Sequence, residues 1–207
     1  MRRTSSDAEY LEDGTVTVDA DGIPVTLSGK ADKTYVDQVV PIRILTGQGT
    51  PEGRVTAPVG SSYTDSAGTN GAIRWIKASG TGNTGWRVEY GDTGLRDISN
   101  LLLDATGPVS IRRIGNTVYL NVKGITPAST LNSGSTFLDV LPVGFRPMER
   151  RDFANMSTIR DGVSRSMFQF PTGAMGVWVP STSDKYYFQH SWLTANAWPT
   201  SLPGTPL

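Results

Sequence analysis

The chain has 207 residues, no cysteine and one histidine, and its 19 basic residues balance 19 acidic ones. That length suits one or two compact domains. The lack of cysteine excludes disulfides, thiol catalysis and thiolate metal sites, and the zero net charge lacks the electrostatic footprint of non-specific nucleic-acid binding.

Glycine (23) and proline (13) interrupt about one residue in six, which disfavours long helices and favours short strands joined by turns. Val, Ile, Leu, Trp, Tyr and Thr dominate the remainder, residue types that fit a pleated, half-buried surface.

Residues 1–29 are polar and turn-rich, with alternation at Thr15, Val16, Thr17 and Val18 and again at 24–27, around the turn Asp19-Ala20-Asp21-Gly22. So little apolar material predicts a segment laid against another protein. Over 28–40, Asp32 can cap a short helix whose Tyr35, Val36, Val39 and Val40 fall on one side, ended by Pro41. A helix this short is marginal alone, so these four residues are candidate contacts with further copies of the chain.

From residue 41 the pattern is β. A strand is predicted at 42–45 and a hairpin from 73–78 and 85–90 around the loop 79–84. Alternation of Trp86, Val88 and Tyr90 with Arg87 and Glu89 suggests a one-sided sheet. Leu101, Leu102 and Leu103 are expected to form a buried turn or connector. A second hairpin, 109–114 and 117–122, is signalled by the two-residue turn Gly115-Asn116. Further strands are predicted near 136–141, 151–155, 164–170, 176–179 and 185–190, a spacing typical of a sandwich or barrel. The tail, 192–207, is expected to lie extended on the surface. The reading divides the chain into an attachment segment (1–40), a small β module (41–98) and a C-terminal β-sandwich (99–207).

Candidate chemistry yields to plainer readings. Gly80-Thr81-Gly82-Asn83-Thr84-Gly85 has the spacing of a dinucleotide loop but leads into a strand rather than a helix, which makes it a hairpin loop. His190 has no recognisable triad and no companion for a zinc or copper site. Asp92, Asp97, Asp139, Glu149, Asp152, Asp161 and Asp184 read as solvated turn residues or arginine partners rather than a glycosidase pair. The turn at 19–22 lacks the further acidic ligands of a calcium loop. No enzyme activity, cofactor or metal is expected. The aromatics of the last thirty residues remain. Tyr186 and Phe188 should share one strand face and Tyr187 the other, and Trp178, Tyr187, Trp192 and Trp198 are the candidate receptor or glycan contacts.

Several strings resemble minor tail proteins and tail fibres of phages infecting actinobacteria. They are Ala31-Asp32-Lys33-Thr34-Tyr35-Val36-Asp37, Pro51-Glu52-Gly53-Arg54-Val55, Arg74-Trp75-Ile76-Lys77, Ile111-Arg112-Arg113-Ile114-Gly115-Asn116 and Leu141-Pro142-Val143-Gly144-Phe145-Arg146-Pro147, together with the ending from Ser191-Trp192 to Trp198-Pro199. The resemblance implies a homotrimeric virion protein, assembled in the host cytoplasm, that anchors to other phage structural proteins by its N-terminus and presents its C-terminal end to a host-surface glycan or protein. Nucleic acid and membrane are not expected partners; no stretch approaches the ~18 apolar residues of a membrane span. The expected fold is all-β: an extended segment with a short helix, a small β module and a jelly-roll-like antiparallel sandwich. A capsid fibre, decoration or adaptor protein without receptor contact is the alternative, and a cell-wall depolymerase a more distant one.

Overall fold

The computed structural model describes residues 15–16, 25–26, 42–128, 134–158, 165–178 and 185–207. The chain divides into two compact units, Met1–Arg43 and Ile44–Leu207. In the first, β1 (Thr15–Val16) pairs antiparallel with β2 (Val25–Thr26), Thr15 opposite Thr26. The helix predicted over 28–40, with Tyr35, Val36, Val39 and Val40, lies outside the described residues.

The second unit is all β, with two sheets. The smaller has the order β3 (Ile44–Gly47), β4 (Ser62–Asp65), β5 (Ala72–Lys77) and β6 (Trp86–Gly91). The predicted β5–β6 hairpin is present. β3 pairs with β4 in parallel, made possible by the long crossover through 48–61. Tyr63, Trp75 and Trp86 line its core with Ala57 and Ala72. The glycine-rich string is the β5–β6 loop. The fully buried Lys77 donates to its Gly82 carbonyl at 2.7 Å and to Thr84 O, so the chain's own ammonium occupies the carbonyl ring.

The larger sheet has ten strands. It holds β7 (Arg96–Asp97), β8 (Ala105–Thr106), β9 (Val109–Ile114), β10 (Thr117–Pro127) and β11 (Thr136–Leu138). It continues with β12 (Arg151–Thr158), β13 (Arg165–Gln169), β14 (Met175–Val177), β15 (Tyr186–Leu193) and β16 (Thr205–Pro206). The order is β11-β14-β13-β12-β15-β10-β9-β7-β16, with β8 on the end of β10. Gly115 adopts φ 55°, the positive value a tight two-residue hairpin turn needs at its first central position, and fixes the β9–β10 register, Ile114 opposite Thr117.

The sheet curls into a half-barrel. A register shift between Lys123 and Ile125 bends β10, whose last residues then pair with β8. The edge strand β11 returns to the same region: Leu102 bridges Leu138, and Leu103 N–H donates to Phe137 O at 2.8 Å. Opposed halves therefore enclose one core, in which Val118, Leu120 and Val122 of β10 meet Phe137, Leu141, Phe145, Met167 and Tyr186. The two sheets are stitched where β6 runs into β9: Gly115 N–H donates to Gly91 O and Thr93 N–H to Arg113 O, each at 3.0 Å.

The tail departs from expectation. β15 extends to Leu193, β16 pairs with β7, and Trp198 is buried among the small sheet's aromatics rather than lying on the surface. Gly91 makes this possible, since a Cβ there would stand 2.8 Å from the Trp198 ring.

Candidate functional site

The four aromatics singled out in the sequence fall in separate places. Trp192 is 2% exposed, inside the half-barrel, and donates its indole N–H to Phe145 O at 2.9 Å. Trp198 is 9% exposed and donates to Asn70 O at 2.9 Å. Neither offers a free ring to a receptor. Both satisfy their one polar atom inside the fold, as a buried indole must.

Trp178 is 42% exposed and Tyr187 37%. Trp178 directly follows β14 and Tyr187 lies on β15, and β13 and β12 separate these strands, so the two do not form one platform. Trp178 instead belongs to an aromatic ledge with Phe168, 5.0 Å between ring centroids, which in turn meets Phe170 at 5.3 Å. Arg150 lies over both phenyl rings, at 5.7 and 5.4 Å, and pairs with Asp152 at 3.2 Å. As expected, Tyr186 and Phe188 are buried on the opposite face from Tyr187.

A pocket of about 700 Å³ lies between the small sheet and the C-terminal arm. Trp86, Val88 and Ile76 form one wall, Trp198, Ala197 and Ala195 the other, and Arg87, Glu89, Asn116 and Met148 line it as well. Trp86 is fixed by its indole N–H to Val55 O at 2.8 Å and by an edge contact with Tyr63.

Arg113 forms the back. It follows Val109 and Ile111 on the inward face of β9, an arginine where the alternation calls for an apolar residue. It is 2% exposed, and its guanidinium lies 4.8 Å from the Trp198 ring. It donates to Gly115 O (2.8 Å), Gly144 O (2.6 Å), Ala197 O (3.0 Å) and Asn196 O (3.1 Å). These carbonyls spread its charge, but burial still brings its pKa down to about 10. The pocket therefore presents the exposed Arg87, Asn116 and Met148, while its aromatic walls, Trp86 and Trp198, are themselves buried. Glu89, its single carboxylate, is engaged by Arg74 at 2.9 Å. Such a surface can hydrogen-bond a saccharide or an extended peptide.

The remaining carboxylates have structural partners. Asp92 accepts from Arg112 Nε at 2.9 Å and from Gly94 N–H, and the guanidinium holds its carboxyl below the usual range. The Ser99 side chain and then the Ser99 N–H, 2.8 Å from its carboxylate, lower the pKa of Asp97. Asp139 and Glu149 are exposed, while Asp161, Asp184 and the turn at 19–22 lie outside the described residues. His190 is stacked on Phe153 at 4.0 Å. Among the described residues no three His, Asp or Glu side chains converge as a metal site would require.

The chain matches no known protein-family model, and a search of curated proteins finds no match either.

Proposed function

We propose that the chain is a non-catalytic virion protein, a trimeric phage fibre or minor tail protein whose C-terminal half contacts the host surface. The pocket lined by the exposed Arg87, Asn116 and Met148 carries the binding half of this reading, because a pocket of that size with few polar groups suits a saccharide. The exposed Trp178, backed by the buried Phe168, adds a second surface on which a sugar ring can stack. The virion half rests on the ordered strings that resemble actinobacteriophage fibres.

The burial of Trp192 and Trp198 favours one alternative, a capsid decoration or adaptor protein without a receptor, since it removes half of the aromatic signal on which receptor contact was first argued. Purified full-length protein separates the readings. A trimer by light scattering that binds intact host cells, and binds less when Arg87 and Trp178 are replaced by alanine, is the expected result. A monomer that leaves cells uncoated overturns the fibre reading. A trimer that coats virions but not cells selects the adaptor.

A further inference from the structure

The inner wall of the half-barrel carries a polar cluster that its own fold does not satisfy. Arg151 of β12 stands opposite Gln169 of β13, and Phe153 opposite Met167. Met167 is in the core, so by strand alternation Gln169 and its neighbour Arg151 face the same interior. Phe153 stacks on His190 of β15 at 4.0 Å and 11°, which brings the imidazole into the same wall.

Gln169 is 0% exposed and neither its amide oxygen nor its nitrogen has a hydrogen-bond partner. The same holds for the buried Nε of Arg151 and Nε2 of His190. Four of the five such atoms among the described residues thus sit in one patch, the fifth being the Trp75 indole nitrogen. Buried polar atoms are ordinarily paired, and each orphan costs free energy that a leucine or methionine at 169 would avoid. The four atoms are left for ordered water or a guest to pair.

The donor count gives its chemistry. Arg151 offers one N–H and a fixed positive charge, Gln169 two N–H and one acceptor, and His190 one ring nitrogen. Burial, with the Arg151 charge adding to it, lowers the His190 pKa to about 4, so the ring is neutral at pH 7 and free to donate from Nε2. Donors exceed acceptors, which fits an oxyanion. The Gln169 oxygen would take a hydroxyl beside it. We propose that Arg151, Gln169 and His190 form an internal site for a small oxyanion, a carboxylate or phosphate group. Arg151, Phe153 and His190 are each only partly buried, so the cluster lies close to the surface. The site does not depend on the receptor reading.

His190 is the only histidine in the chain, so its imidazole nitrogen signals report on this site alone. The full chain is titrated at constant ionic strength with inorganic phosphate, acetate, glucuronate and, as a neutral control, glucose. A saturable shift of the His190 signals with one or more anions, absent with glucose, is expected. Glucuronate well ahead of acetate and phosphate assigns the oxyanion to an acidic saccharide; equal responses assign it to free anions. Gln169→Leu keeps the volume and removes two of the four orphans, so it should fold and bind the same anion roughly tenfold more weakly. Arg151→Lys, which keeps charge but not the Nε donor, should weaken binding as well. No saturable shift with any anion, an equal response to glucose, or wild-type binding by both variants would overturn the site.

Discussion

Trp198→Ala is the sharpest test of how the C-terminal arm is held. Trp198 belongs to a cluster of only six buried residues, with Ala57, Tyr63, Ala72, Trp75 and Trp86, so its loss removes much of that core. A buried tryptophan removes about 150–250 Å² from water. At about 25 cal/mol per Å² that burial is worth about 4–6 kcal/mol, and measured Trp→Ala truncations fall at about 3–5 kcal/mol. The substitution also leaves Asn70 O without its 2.9 Å donor and strips the ring from the face of Arg113. A loss of about 4 kcal/mol is expected, a large share of the stability of an ordinary domain. Trp198→Phe keeps most of the apolar area but not the indole N–H and should cost about 1–2 kcal/mol. Urea unfolding followed by circular dichroism avoids the changed fluorescence, and the alanine variant should lower the midpoint by about 2 M. A loss under about 1 kcal/mol, the range of an ordinary surface substitution, would refute the packing of the arm into the small sheet.

Three further outcomes follow from individual sites. His190 has a pKa of about 4 in the folded chain against 6.5 for the free side chain, so the unfolded state binds the extra proton between those values. Stability should be flat above pH 6.5 and fall as pH drops toward 4, by less than the ceiling of about 3 kcal/mol because the ring is only partly buried; His190→Phe should flatten this limb, and an unchanged slope would sink the assignment. Burial alone would raise the Asp65 pKa, but backbone N–H groups of Gly49, Ala67 and Thr69, at 2.8, 2.9 and 2.9 Å, lower it overall. Asp65→Ala should cost about 2–4 kcal/mol at neutral pH, and the Asp65 contribution should vanish only as pH falls below the ordinary aspartate range. Trp178→Ala should change stability by less than about 1 kcal/mol while weakening cell binding, a separation read by denaturation and a cell pull-down side by side.

Strand content was legible because period-two alternation is a local property. Val118, Leu120 and Val122 repeat at every second position, and Gly115-Asn116 fixes the turn beside them, so the β9–β10 hairpin follows from a dozen residues. The tail was not legible, because nothing in 194–207 alternates. Trp198 is held by Asn70 and by the gap at Gly91, over a hundred positions earlier in the chain. The closure of the half-barrel is equally non-local, depending on Leu102 meeting Leu138.

The site residues divide along the same line. Exposed aromatics count as a signal only once burial is known, and that knowledge removes Trp192 and Trp198 while leaving Trp178 and Tyr187. Arg113 was missed although its position was informative: Val109, Ile111, Arg113 is an inward face whose third member is charged. The same reasoning applies to the cross-strand pair Arg151 and Gln169, polar at both positions beside the apolar pair Phe153 and Met167. A polar residue on an inward face is therefore the more economical guide to function in this chain. An exposed ring satisfies itself in water, whereas a buried guanidinium or amide must find a partner. At Arg113 the chain supplies four carbonyls and makes a structural clamp; at Gln169 it supplies none, which is why the proposed oxyanion site is placed there.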